Sequence, residues 1–184
     1  RLLDRKIARS SDLRTLFVRD ETSPSGIKPF LWSTLNETER GFFNGLCNSP
    51  PRLSQCVALS SNEMAAVTGE RVVNYLRGQS EFENRTGNTQ KFFRSREHVL
   101  GAAINASPSY VARPAFRYAD EHYGEFRDTE AADRLPVVYL AANDGMLHAF
   151  NANNGDEIWA AAGIYKPTSG TDRTISFVLK NGAE

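Results

Sequence analysis

Between residues 137 and 159 the apolar positions fall into three short runs, each closed by a turn sequence. Val137-Val138-Tyr139-Leu140-Ala141-Ala142 meets Asn143-Asp144-Gly145, then Met146-Leu147-His148-Ala149-Phe150 follows. Ala152-Asn153-Asn154-Gly155 turns the chain again, and Glu157-Ile158-Trp159-Ala160 opens a third run. Asp144-Gly145 between two β-branched or aromatic runs is a strong hairpin signal, because a tight turn needs positive φ, which Gly and Asn/Asp tolerate. The pattern predicts a three-stranded meander. It ends in Gly-x-x-x-Trp, formed by Gly155 and Trp159, the sequence form of a propeller blade whose Trp packs between neighbouring sheets. One blade cannot close a ring, so the chain is expected to be a piece of a larger protein.

Upstream the pattern changes period. Residues 13–18 read as a short strand and 20–26 as a turn-rich loop. Phe30-Leu31-Trp32 is an apolar patch before a capping box, in which Asn36 accepts from exposed amides and Glu39 reaches back. The helix it starts is expected to run to about residue 44, weakened by Gly41. Residues 62–77 predict a second helix, with Val67, Val72, Val73 and Leu76 on one face and Gly78 at the C′ position. Residues 79–91 are polar and turn-rich. A short apolar segment at 99–104 precedes a strand at 109–112, residues 117–134 read as a charged surface insertion, and 175–179 as a further strand. Helices come first and strands later, which argues for an α+β arrangement rather than βαβ winding. The expected division is a helical or mixed lead-in over 1–92 and a first, incomplete blade region over 93–184.

Charge narrows the function classes. The 184 residues carry 22 basic and 22 acidic side chains, so no clustered basic footprint points to nucleic acid or to a polybasic membrane contact. No apolar run approaches the ~18 residues a membrane-spanning helix needs. The two cysteines, Cys47 and Cys56, flank a Pro-containing polar stretch. A disulfide stapling that loop is the favoured reading and implies an oxidising compartment. Two unrelated thiols are the alternative, and metal binding is weaker because neither a CxxC pair nor an adjacent His completes a ligand set.

Three segments in fixed order carry a resemblance. They are Val72-Val73-Asn74-Tyr75-Leu76-Arg77-Gly78; then Phe93-Arg94-Ser95-Arg96, Val99-Leu100-Gly101 and Asn105-Ala106-Ser107-Pro108-Ser109-Tyr110-Val111; then the meander from Val137 to Trp159, with Asn143-Asp144-Gly145-Met146-Leu147-His148-Ala149-Phe150 as the most specific part. Over roughly residues 13–160 the chain resembles the C-terminal region of the PilY/PilC family of type IV pilus assembly and tip-associated adhesins. The resemblance implies an exported bacterial protein at the outer membrane or cell surface, with a quinoprotein-like β-propeller. It implies pilin and minor pilin subunits, and host or abiotic surfaces, as partners, and action near the pilus tip that counteracts retraction. Some members bind calcium in an Asp/Asn-rich loop. The nearest stretch here, 151–156, lacks the alternating acidic ligands and terminal Glu of such a loop and reads as a turn. Calcium is therefore expected only elsewhere in an intact protein, with no cofactor in this segment. The chain departs from the family in having Gly101-Ala102 where Gly-Asp is usual, and Asn151, Asn154 and Asp156 in the second turn of the meander.

Candidate chemistry is sparse. Blades of this style also occur in enzymes using pyrroloquinoline quinone, which need an acidic base, a cation and usually a metal beside the cofactor. Asp144 and His148 do not assemble such a constellation, and a strand histidine reads first as packing or a local hydrogen bond. His98 and His122 have no matching nucleophile pattern. Trp32, Phe42, Phe43, Phe92, Phe93 and Tyr110 could form a sugar platform, but read first as core and packing residues. The residues expected to matter are structural: Asp144 and Gly145 in the hairpin, Gly155 in the turn, Trp159 in blade packing. The expectation is a non-enzymatic pilus biogenesis and adhesion scaffold. The alternatives are a quinone-dependent periplasmic dehydrogenase and a propeller scaffold unrelated to pili.

Overall fold

A computed structural model describes residues 2–48 and 52–163. The predicted meander is its centre. β4 (Val137–Ala141), β5 (Met146–Asn151) and β6 (Glu157–Ala162) pair antiparallel, with Leu140 opposite His148 and His148 opposite Ala160. Gly145 and Gly155 take φ of 81° and 76° at the two turns, the left-handed conformations that the turn sequences require. Before β4, β3 (Ser109–Val111) adds antiparallel, placing Tyr110 opposite Val138.

The sheet then extends in a way the pattern did not predict. β1 (Leu16–Arg19) lies parallel to β6, with Leu16 opposite Ala160, and β2 (Ile27–Pro29) closes the far edge antiparallel to β1. The result is an α+β unit around one open, mixed sheet of six strands in the order β2-β1-β6-β5-β4-β3. The described residues form no closed ring.

Four short α-helices accompany the sheet among the described residues. α1 (Glu37–Gly41) starts at the capping box: Asn36 Oδ1 accepts from the Glu39 N–H at 3.0 Å, and Glu39 Oε2 accepts from the Asn36 N–H at 2.8 Å. The helix ends at Gly41, short of the expected residue 44. The single helix expected over 62–77 is two, α2 (Ser61–Ala66) and α3 (Gly69–Leu76). Thr68 breaks the run by capping α3, its hydroxyl accepting from the Arg71 N–H. A Cβ at Gly69 would stand 2.5 Å from Asn44 Oδ1 and 2.6 Å from the Trp32 ring, so α3 can approach the lead-in only because this residue is glycine.

The core joins the faces of both parts. Leu16 and Val18 of β1, Phe30, Phe43, Val67, Val72, Val73 and Leu76 are buried with Met146 and Ala160 of the meander. Cys47 and Cys56 form a disulfide with Cα atoms 5.4 Å apart, and both residues belong to this core. The stretch expected to be a surface insertion holds α4 (Tyr123–Asp128), and Arg127 and Ala131 turn inward. No strand forms at 99–104, and the strand expected at 175–179 lies outside the described residues.

Candidate functional site

The pleat of the 13–18 segment decides where the site lies. Leu16 and Val18 face the core, and the period of two puts Arg14 on the same face and Leu13 outward. Leu13 is accordingly 84% exposed while Arg14 is 5% exposed. A guanidinium buried this deeply requires a partner. Arg14 Nε and Nη2 donate to the two carboxylate oxygens of Glu157, both at 2.8 Å, in the bidentate geometry that makes the strongest ion pairs. Glu157 is 1% exposed and opens β6.

Glu157 also meets β5. His148 is fully buried, and its Nδ1 lies 2.8 Å from Glu157 Oε1. On the other side of the ring, Nε2 stands 3.1 and 3.0 Å from the two oxygens of Asp144. The turn residue Asp144 thus does more than shape the hairpin. Its carboxylate also accepts from the Met146 N–H at 3.1 Å and from the Gly101 N–H at 3.0 Å. A charged chain, Arg14–Glu157–His148–Asp144, therefore runs from the lead-in through the meander to the 99–102 segment.

A second cluster extends it backward. Arg77, at the end of α3, donates to Asp12 Oδ2 at 3.0 Å, to the Phe30 carbonyl at 2.7 Å and to the Arg14 carbonyl at 3.1 Å. Arg14 Nη1 returns a bond to the Arg77 carbonyl at 3.0 Å. Lys6 donates to the Glu157 carbonyl. Among the described residues no buried side-chain nitrogen or oxygen lacks a partner.

The electrostatics follow from this pairing. Burial alone raises the Glu157 carboxyl, but bonds from Arg14 and His148 outweigh it and bring it down to about 2. Burial likewise raises Asp144, and bonds from His148, Gly101 and Met146 leave it lowered. Burial lowers His148, whereas its two carboxylate neighbours raise it above the ordinary value of 6.5. Each carboxylate needs an N–H from the ring, and only the imidazolium has both.

Asp144 is the end of the chain that reaches solvent, its side chain 19% exposed. It lines an open cleft of about 470 Å³ between the Asn143–Asp144 turn and the 94–102 segment, with Tyr75 on the third side. Arg96 forms part of the wall, its guanidinium 3.7 Å from the centre of the Tyr75 ring and 2.7 Å from Glu83 Oε1. On the same segment, His98 Nδ1 is 2.9 Å from Asp4 Oδ2.

The other sequence-predicted residues lie apart. Gly155 donates its N–H to the Asn151 carbonyl at 2.7 Å in the far turn. In that turn Asn151 and Asn154 are engaged with the Asn153 and Asp156 amides, so these side chains hold the turn itself. Trp159 is partly buried, its ring 5.9 Å from Tyr139 on the same sheet. Phe92 and Phe93, weighed as a sugar platform, stack instead with Phe82 and Tyr75, and Arg71 lies 4.4 Å over Phe82. Among the described residues no group of three or more His, Cys, Asp or Glu is arranged to hold a metal ion. Arg14 and Glu157 escaped the sequence reading. Arg14 keeps the period-two phase of Leu16 and Val18, but Glu157 is out of phase with buried Ala160, because a register shift at Ala149/Phe150 turns it inward.

Comparison with known proteins adds the following. The chain is 30% identical over 161 residues, 83% of its length, to the "Type IV pilus biogenesis factor PilY1" of Pseudomonas aeruginosa strain UCBPP-PA14. It is 39% identical over 130 residues, 67% of its length, to a "Type IV pilus biogenesis factor PilY1 homolog" of Xylella fastidiosa strain Temecula1. It is 32% identical over 143 residues to the protein of the first name in P. aeruginosa strain PAK. These matches take up 12%, 10% and 11% of the relatives, so the chain spans about a tenth of their length. No family model and no solved structure matches the chain.

Proposed function

This chain belongs to the PilY1-like family of type IV pilus proteins, and from that premise we propose that it is a non-enzymatic scaffold segment of a pilus biogenesis factor. The observation that carries the proposal is identity of 30–39% to such factors over two thirds or more of this chain. In this reading β3 to β6, four strands paired antiparallel in sequence order, are the first blade of a propeller. The lead-in strand β1 docks on that blade through β6 and the Arg14–Glu157 pair. The intact protein sits at the cell surface near the pilus tip, contacts pilin and minor pilin subunits, counteracts retraction and presents loops to host or abiotic surfaces.

The non-enzymatic reading is supported by the state of His148. A general base needs a free lone pair within reach of a substrate proton. Both nitrogens of this ring face carboxylates in the interior.

Deletion of the gene in its host, with surface pili and twitching motility scored, tests the proposal. The expected result is sparse or absent pili, restored by the wild-type gene. Normal pili and normal twitching in the deletion strain would reject it.

A further inference from the structure

His148 bridges two carboxylates that hold different parts of the described molecule. Glu157 is fixed by the bidentate Arg14 and ties the ring to the lead-in. Asp144 is partly exposed and ties the ring to Gly101 and the cleft wall. We propose that His148 is a proton-operated latch: its imidazolium holds the Asp144 carboxylate against Gly101, and loss of one ring proton releases the 99–102 segment and opens the cleft.

The asymmetry of the two contacts sets what moves. A neutral ring keeps one N–H. That proton stays on Nδ1, facing Glu157, which cannot turn away because Arg14 occupies both of its oxygens. Nε2 then presents a lone pair to Asp144, which also carries lone pairs. In a buried site this opposition is costly, and Asp144 has solvent on its cleft side to turn towards. When Asp144 turns, the Gly101 N–H loses its acceptor. The segment then keeps the bond from the Asn143 N–H to the Ala102 carbonyl at 2.9 Å and that from the Val99 N–H to Asp4 Oδ1 at 3.1 Å, so the loosening centres on Gly101.

The titratable and charged groups facing the ring are Asp144 from the β4–β5 turn, Glu157 from β6 and, behind Glu157, Arg14 from the segment before β1. Phe150 stacks on the ring at 5.7 Å and is neutral. With the ring protonated, Arg14, Glu157, His148 and Asp144 sum to zero charge. With it neutral they carry one uncompensated negative charge.

The sign of the pH dependence follows. His148 is raised in the folded state, so the closed latch is complete below 6.5 and is lost as pH rises through the folded value. His98, paired with Asp4 on the same cleft, is the control position.

Amide hydrogen exchange of the full-length protein, corrected for intrinsic chemistry and followed from about pH 6 to about pH 9, tests this. Peptides covering 99–102 and the β4–β5 turn are expected to lose protection by up to about tenfold per pH unit across the step and to level off above it, since one proton is released on opening. The 13–19 peptide stays protected. H148Q removes the step and leaves 99–102 weakly protected throughout, while H98Q keeps the step. A flat wild-type profile, a step surviving in H148Q, or a step abolished by H98Q would overturn the latch. Should H148Q fail to fold, ¹⁵N spectra of the wild-type ring near pH 7 decide. Two protonated ring nitrogens support the latch, and a neutral ring refutes it.

Discussion

Leu13 and Arg14 exchange the places that hydropathy alone would assign them. The reason is phase: with Leu16 and Val18 inward, position 14 faces inward whatever its chemistry, and the backbone cannot re-register one residue without turning both aliphatics out. The charge is tolerated because Glu157 meets it with two bonds at 2.8 Å. Such a pair need not stabilise the fold against an apolar pair, but losing one member strands the other. Arg14→Met is therefore expected to cost about 3–5 kcal/mol, as it leaves Glu157 and its neighbours unbalanced. Arg14→Met with Glu157→Met should recover part of that loss. Urea denaturation near pH 7 compares the two, and a double variant no more stable than the single would contradict the account. Sequence made Asp144, Gly145 and Gly155 legible, because turn chemistry is local. The Arg14–Glu157 pair was not, because 143 residues separate the two charges in the chain, and the double engagement of His148, with partners four and nine residues away, was not because it depends on which strand face is buried.

At the scale of elements, residues 99–102 carry little signal of their own and form no strand. Their position comes from the turn they lie against: the Gly101 N–H reaches Asp144, and the Asn143 N–H reaches the Ala102 carbonyl. A Cβ on Gly101 would run into the backbone nitrogen of Asp144, with Asn143 N a further 3.1 Å contact. The obstacle is the backbone of residues 143–144, which leaves nothing flexible to give way. Gly101→Ala should destabilise by about 1–3 kcal/mol, in the range of overpacked sites. The loss should appear as faster exchange at 99–102 and the β4–β5 turn, and an unchanged exchange map would show that the segment is not seated there. The helical stretch at 62–77 shows the same limit of local reading. Its apolar face was correct, with Val67, Val72, Val73 and Leu76 all buried. Its continuity was wrong, because Thr68 caps better than it propagates and Gly69 is needed where α3 meets Trp32.

At the scale of the molecule, the lead-in and the meander share one sheet and one core, and the disulfide joins Cys47 to Cys56 within that core. Cys47 and Cys56 are nine residues apart, and closing so short a loop in the unfolded chain is worth about 2–3 kcal/mol in the chain-entropy account. Cys47→Ser with Cys56→Ser should lower the urea midpoint accordingly. Reductant should shift the wild type to the same midpoint and leave the double variant unmoved. By itself the sequence determined the meander with its two glycine turns, the capped start of α1, the apolar face of the helical stretch and the family resemblance. All of these rest on contacts within a few residues, or on a run of motifs in fixed order. Only the tertiary structure decided that β1 joins β6 in parallel, that Arg14 and Glu157 pair inside, and that His148 bridges them to Asp144. The parallel pairing and the Arg14–Glu157 pair join positions far apart in the chain, and the energies of buried ion pairs, the nearby His148 contacts included, depend on desolvation and geometry that no local pattern of residues encodes.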